Sequence, residues 1–326
     1  MTPTPCLPSA RLGADLWFKL ESCQPTGSYK DRFIVREMER IVAGGAQLVL
    51  ATSSGNTGAA LAAYSARAGI RCVIVVSPEA PVGKVAQMRA HGACVVRVPG
   101  FTVDAGVTDR VMAALRACSQ ERGVPLVVSA FRYCPEGMAG VSTIADELVA
   151  LAPRHVFVPV GGGGLYTAVV RGFLAAGLDV RVHAVQPAGC GTVVDAWAAR
   201  AAVAAPASGT TRVSGLSVPV DIDATLALGL LYENGGQGIA VSDEEVFAAH
   251  RRMLSEEGVF CEPAGATATA GWLRAVASGA VDARERAVCL VTGHGGKDPD
   301  SIASAAASVE SPVVESADME AWLRNA

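Results

Sequence analysis

Short apolar runs rich in β-branched residues recur along this chain, and segments of helix length separate most of them. The runs are "DLWFKL" (15–20), "QLVLAT" (47–52), "RCVIVV" (71–76), "CVVRV" (94–98), "PLVVS" (125–129), "HVFVPV" (155–160), "VRVHAVQ" (180–186) and "RAVCLVT" (286–292). Between them lie stretches such as "GNTGAALAAYSARAG" and "DEEVFAAHRRMLSEEG". Strands that alternate with helices are joined by crossovers, which specifies parallel sheets rather than hairpins. With 326 residues, 51% of them hydrophobic, the chain can bury a large core in two lobes. Its 35 glycines suit many tight strand–helix turns. The expected fold is α/β, two-lobed, with open, mostly parallel twisted sheets flanked by helices.

Composition also narrows the function. A formal net charge of −4 gives no reason to expect a nucleic-acid partner. Nine cysteines stand singly, without a CxxC pair. Neither a metal site nor a disulfide framework is expected, and reduced thiols suit a cytoplasmic enzyme. The opening "MTPTPCLPSARLGADL" lacks a basic region followed by an apolar run, so no signal peptide is expected. His155 to Val170 reads as a buried strand and a glycine loop rather than a membrane span. Ser242, with Glu245 three residues on, marks a capped helix start. The Ala- and Gly-rich stretch 196–209 is expected to be a surface loop.

In open parallel sheets, ligands collect at the carboxyl ends of strands. That directs attention to the loops after residues 20, 52, 160 and 292. The first, "ESCQPTGSYKDR", puts Lys30 in the first turn of a helix. A helix N-terminus disfavours a cation and burial strips its hydration, so both favour a neutral amine able to form a Schiff base. Taken alone, the stretch reads more readily as a solvated lysine in a charged run. The second loop, "SSGNTGAA", gathers Ser53, Ser54, Gly55, Asn56 and Thr57 at a helix start. Free N–H groups there suit a carboxylate. Ordinary capping, by Ser54 or Asn56, needs only one such residue.

The third loop is "GGGGLYTAV". Consecutive glycines at a helix start let several N–H groups converge on one anion, and a phosphate is the natural guest. Nucleotide motifs fail here. Tyr166 and Thr167 occupy the places where GxGxxG needs its last glycine, and Val85 and Asp298 follow the two GK pairs. The fourth loop, "TGHGGKDP", ends a strand at Thr292, whose hydroxyl suits a ring nitrogen. His294 has no partner nucleophile or orienting carboxylate in the sequence and reads as shaping the loop. An amine, a phosphate cradle, a carboxylate loop and a strand-end hydroxyl together match pyridoxal phosphate and an amino-acid substrate.

The blocks "KLESCQPTGSYKDR", "TSSGNTGAALAAYSARAGI", "GKVAQMRAHGACVV", "VPVGGGGL", "EEGVFCEPAGA" and "VTGHGGKDP" span nearly the whole chain. Through them the sequence resembles the fold-type II pyridoxal-phosphate enzymes, the tryptophan synthase β-like superfamily. Within it, the chain looks most like the threonine synthase and threonine dehydratase branch. The resemblance implies a large cofactor lobe of residues 1–35 plus 135–326, a small closing lobe of residues 36–134, and a homodimer. Lys30 matches the lysine that forms the Schiff base and shuttles the α-proton. Asn56 matches the residue that hydrogen-bonds the cofactor's phenolic oxygen. Gly161, Gly162, Gly163 and Gly164, with the N–H of Leu165, match the phosphate loop. Thr292 matches the hydroxyl at the pyridine nitrogen, and Ser53, Ser54, Gly55 and Thr57 match the loop that grips the substrate carboxylate.

A neutral hydroxyl at the pyridine nitrogen makes a weaker electron sink than an aspartate does, which favours elimination and replacement over transamination. "SSGNTG" and "TGHGGKDP" resemble threonine synthases, whereas "VGGGGL" and "EPAGA" resemble dehydratases. Threonine synthases tend to carry an arginine before the "EG" of "SAFRYCPEGMAG"; here Cys134 stands there, with Arg132 two residues earlier. Phe33 replaces a more usual small residue and implies a reshaped pocket. The expected protein is a pyridoxal-phosphate-dependent lyase acting on a small L-amino acid. Its expected reaction is threonine synthase-like, O-phosphohomoserine to threonine. The alternatives are a threonine/serine dehydratase or a β-replacement enzyme.

Overall fold

The computed structural model describes residues 2–307 and 309–325. Its strands are β1 (Cys6–Pro8), β2 (Leu16–Leu20), β3 (Leu48–Thr52), β4 (Arg71–Val76), β5 (Cys94–Arg97), β6 (Leu126–Val127), β7 (His155–Pro159), β8 (Arg181–Pro187), β9 (Gly238–Val241) and β10 (Ala287–Val291). The larger sheet has the order β1-β2-β10-β7-β8-β9, and the smaller one β5-β4-β3-β6. Every pairing is parallel except that of β1 with β2. All eight expected strands form, and β1 and β9 are additional.

The helices are α1 (Lys30–Ala43), α2 (Asn56–Ala68), α3 (Val82–Ala90), α4 (Ala105–Arg122), α5 (Pro135–Ala139), α6 (Thr143–Asp146) and α7 (Gly164–Ala175). They continue with α8 (Thr192–Ala198), α9 (Ala224–Glu233), α10 (Asp243–Glu256), α11 (Pro263–Ala277), α12 (Pro299–Ala306) and α13 (Met319–Asn325). Ser242 and Glu245 form the expected capping box at the start of α10. The stretch 196–209 is only partly a loop, because α8 runs on to Ala198 before regular structure ends. Alanine is the best helix former, so an Ala-rich stretch extends a helix that buries an apolar face.

Both faces of the larger sheet are covered, which explains its unbroken apolar strands. Along β10, Val288 and Leu290 join the core beneath α1 and α7, while Ala287, Cys289 and Val291 join the core beneath α10 and α11. Close packing on the second face needs small residues. A Cβ at Gly271 of α11 would lie 2.4 Å from Val185 Cγ2.

Strand order locates the ligand-binding crevice. In the smaller sheet the chain runs outward from β3 through β4 to β5, then returns to place β6 on the other side of β3. In the larger sheet β10 returns to lie between β2 and β7. Such reversals open a crevice at the carboxyl ends of the strands involved. The four loops singled out above follow β2, β3, β7 and β10.

Candidate active site

The segment carrying Lys30 is tied to the loop after β10. Tyr29 N–H donates to Thr292 O at 3.1 Å and His294 N–H to Gly27 O at 2.9 Å, with Gly27 at φ +82°. Thr26 closes the turn by donating from both N–H and hydroxyl to Asp31. Lys30 then begins α1, half-buried, and its Nζ lies 2.6 Å from Ser129 Oγ and 4.6 Å from the Tyr29 ring centre. Ser129, just beyond β6, also accepts a hydrogen bond from Thr57 Oγ1 at 3.0 Å. Behind Lys30, buried Arg32 donates to Glu21 at 2.7 Å and to Glu147 at 2.6 Å, which pins the first turn of α1.

The glycine loop opens α7. Among the described residues, no acceptor takes the N–H groups of Gly161, Gly162, Gly163, Gly164 or Leu165. Two of the glycines are required by shape. Gly163 has φ +98° and a Cβ there would lie 2.5 Å from Asp223 O; one at Gly164 would lie 2.8 Å from Met138 Cε. Asp223 ties this loop to the Ser129 loop. Its carboxylate accepts N–H donors from Phe131 at 2.7 Å and Arg132 at 3.2 Å, and its own N–H donates to Gly162 O. Burial pushes the Asp223 carboxyl above its usual range, against the two N–H donors that favour its charge.

The loop after β3 faces the same crevice. Ser53 Oγ accepts the N–H groups of Gly55 at 3.3 Å and Gly58 at 3.1 Å, so Ser53 performs the capping, not Ser54 or Asn56. Gly55 borders open space, with nothing within 4 Å of an added Cβ. The Ser54 hydroxyl and the N–H groups of Asn56 and Thr57 have no acceptor among the described residues. Asn56 Nδ2 donates to Glu262 Oε1 at 2.7 Å, and its buried Oδ1 has no partner. Thr292 is buried at the end of β10, with no hydrogen bond to its hydroxyl among the described residues. Hydrogen bonds therefore tie the loops after β2, β3, β7 and β10 to one another. Ser129, Asp223, Glu262 and Lys84 join them. Of these, "EPAGA" and "GKVAQ" carried a visible signal for Glu262 and Lys84.

Four residues behave differently from a pocket lining. Phe33 is fully buried, and a Cβ on Gly137 of α5 would come within 2.7 Å of its ring. It fills the core between α1 and α5, so the expected reshaped pocket is corrected to a packing role. Cys134 is buried at the start of α5, and burial pushes its thiol up to about 11. The exposed Arg132 side chain lies 5.9 Å from the Tyr133 ring. His294 shapes the loop: its Nδ1 accepts the Gly296 N–H at 3.1 Å and its ring meets Phe260 edge-on at 5.2 Å. A groove of about 1060 Å³, bordered by Thr4, Gln24, Met38 and Tyr64, lies apart from this crevice.

The family model described as pyridoxal-phosphate dependent enzyme matches residues 1–293. Threonine synthase of Methanocaldococcus jannaschii is 34% identical over 320 residues, covering 95% of this chain and 76% of that protein. Threonine synthase of Mycobacterium tuberculosis is 35% identical over 302 residues, covering 90% of this chain and 80% of that protein. Among solved structures, a threonine deaminase of T.th. superposes with a TM-score of 0.73 at 27% identity, covering 90% of this chain and 92% of that one. Maize serine racemase superposes with a TM-score of 0.77 at 21% identity, covering 99% and 92%, and shares the fold. The crevice fits such a cofactor. Five uncommitted N–H groups at a helix N-terminus suit a phosphate, a half-buried primary amine suits an aldehyde, and Asn56 keeps spare polar capacity. The chain belongs to the pyridoxal-phosphate-dependent enzyme family and is a lyase of its fold-type II branch.

Proposed function

We propose that the protein carries out a threonine synthase-like reaction, converting O-phosphohomoserine to threonine. One observation carries the reading. The Lys30 amine, 2.6 Å from Ser129 Oγ, shares a crevice with the uncommitted N–H groups of Gly161 to Leu165, in a chain whose 34%-identical relative is a threonine synthase. In this reading Lys30 Nζ takes the α-proton, and the Ser129 and Thr57 hydroxyls orient it. Gly161, Gly162, Gly163, Gly164 and Leu165 hold the phosphate, and Asn56 donates to the phenolic oxygen. Ser54 and the N–H groups of Asn56 and Thr57 bind the substrate carboxylate, with Ser53 and Gly55 shaping that loop. Thr292 offers an uncharged hydroxyl to the pyridine nitrogen. Bound pyridoxal phosphate supplies an aldehyde for the amines and an electron sink for the α-carbon.

The reading includes a small lobe of residues 36–134 closing on the remainder, a homodimer and a cytoplasmic setting. Nine free cysteines suit a reducing compartment. A second reading, dehydration of threonine or serine, is favoured by one feature. Buried Cys134 stands where threonine synthases tend to place an arginine for the substrate phosphate.

A substrate assay on the holoenzyme tests both. Threonine and inorganic phosphate from O-phosphohomoserine support the first reading. A 2-oxo acid and ammonia from threonine or serine would replace it with the second. Protein that binds no pyridoxal phosphate, and cannot be labelled at Lys30 by borohydride, would overturn both. Light scattering in solution measures the oligomeric state.

A further inference from the structure

A charged clasp crosses between the two sheet layers beside Asn56. Lys84 and Gln87 lie three residues apart on α3, hence on one face of that helix, while Val85 and Met88 turn into the core. Both polar side chains reach the layer of the larger sheet. Lys84 Nζ, fully buried, lies 3.0 Å from Glu262 Oε2 and 3.1 Å from Ser214 Oγ. Gln87 accepts from Lys297 Nζ at 2.8 Å and donates to Thr26 O at 3.1 Å. A Cβ on Gly83 would lie 3.2 Å from Lys297 O, so the helix sits directly on the turn after β10. Glu262 is 1% exposed and immediately precedes α11, at its N-cap. Its Oε1 accepts from Asn56, while Oε2 faces Lys84 outside hydrogen-bond alignment and has no other partner. A Cβ on Gly293 would lie 2.1 Å from Glu262 Oε1 and 3.2 Å from Asn56 Nδ2, so glycine there leaves room for the pair.

A carboxylate can only accept hydrogen bonds. As long as Glu262 carries its charge, the Asn56 amide must turn its NH₂ towards it, and one N–H remains for the crevice. The Lys84 ammonium is the adjacent counter-charge for that buried carboxylate. Remove it, and the buried carboxylate loses the ion pair that holds it in place. A group at this place that is no longer held, or that can donate as a carboxamide does, leaves the Asn56 amide free to present its oxygen instead.

We propose that Lys84 and Glu262 are positioning residues, which orient the Asn56 amide so that its second N–H faces the cofactor's phenolic oxygen. The inference rests on the reading of Asn56 given under Proposed function.

The test is the absorption spectrum of the holoenzyme at fixed pH, read as the ratio of the phenol-form to the phenolate-form band of the bound cofactor. Lys84→Met raises the phenol-form share at least about twofold, Lys84→Arg restores the wild-type ratio, and Glu262→Gln, which can itself donate, reproduces the Lys84→Met spectrum. If Lys84→Met fails to fold, the near-isosteric Glu262→Gln carries the same comparison. A clasp that served stability alone would lower the melting temperature and leave the ratio unchanged, and that result overturns the inference. Wild-type protein without any cofactor band would overturn the reading beneath it as well.

Discussion

Lys30 Nζ and Ser129 Oγ, 99 residues apart in sequence, meet at 2.6 Å across the crevice between the two sheets. The lysine begins α1, and the serine follows β6. A long amine has many rotamers, and a hydrogen bond donated to a fixed hydroxyl selects one of them. Ser129→Ala is therefore expected to lower kcat/KM by about 10- to 100-fold while borohydride still labels Lys30. Lys30→Ala is expected to remove both labelling and turnover. An unchanged kcat/KM in Ser129→Ala would show that the serine does not position the amine.

The glycine loop gives a second expectation. Gly163 is left-handed, and an added Cβ would come within 2.5 Å of Asp223 O, a backbone atom that cannot swing away. Gly163→Ala should cost about 1–3 kcal/mol of stability and weaken pyridoxal-phosphate binding at least about tenfold. Gly55→Ala meets open space at φ −120° and should change stability by less than about 0.5 kcal/mol. Urea unfolding and fluorescence titration of the cofactor read the two effects separately. Equal losses for both glycines would contradict the packing argument.

Much of this architecture was legible because the signals were local. Apolar runs located β2 to β8 and β10, and the loops beyond four of them border the crevice. The two additional strands, Cys6–Pro8 and Gly238–Val241, are three and four residues long and lie at the sheet edges. Such strands are defined by pairing rather than by their own pattern. Ser129 opens the stretch "SAFRYCPEGMAG", but a single serine carries no local mark of its role, which arises only when β6 returns beside β3. Glu262 and Lys84 lay inside recognisable blocks, but a carboxylate and an ammonium 178 residues apart become a pair only through folding. Phe33 misled for the opposite reason. Its neighbour Lys30 faces the crevice, and a helix turns a residue three positions on by about 300°, here into the core.

A third expectation concerns acid. Glu147 accepts from Arg32 at 2.6 Å and 2.9 Å, from Thr4 N–H at 3.0 Å, and also contacts Lys19. Burial works to raise its carboxyl, but Arg32 and Lys19 prevail and hold it down at about 2 against an ordinary 4.5. A depressed carboxylate contributes stability that is present above the unfolded value and is lost as pH falls from about 4.5 towards 2. Glu147→Gln should cost about 3 kcal/mol at neutral pH, since it leaves buried Arg32 short of a partner. Urea midpoints at pH 7 and pH 3 check this. The gap between variant and wild type narrows at the lower pH, and a constant gap would mean that the carboxylate's charge is not what stabilises.

The histidines in β7 and β8 of the larger sheet give a separate pH dependence, towards the end of the sheet away from the crevice. Gln237 N–H donates to His183 Nδ1 at 3.2 Å, so that nitrogen is an acceptor and the His183 proton sits on Nε2. His183 Nε2 then donates to His155 Nδ1 at 2.9 Å, and His155 Nε2 donates to Glu285 at 2.9 Å. The chain works only while both rings are neutral. Burial pushes His183 down to about 3 from an ordinary 6.5, helped by His155 and Arg181, and burial also lowers His155. Below about pH 6.5 the unfolded chain takes up protons that the folded chain refuses, so stability falls with falling pH and is level above that point. The slope reaches on the order of 1 kcal/mol per pH unit for His183, and His155 adds to it in the same direction. This window opens well above the one set by Glu147, so the two are separable between about pH 4.5 and 6.5. His183→Gln, which cannot titrate, should flatten the slope of unfolding free energy against pH in that interval. The same slope in variant and wild type would show that His183 is not held neutral by the fold.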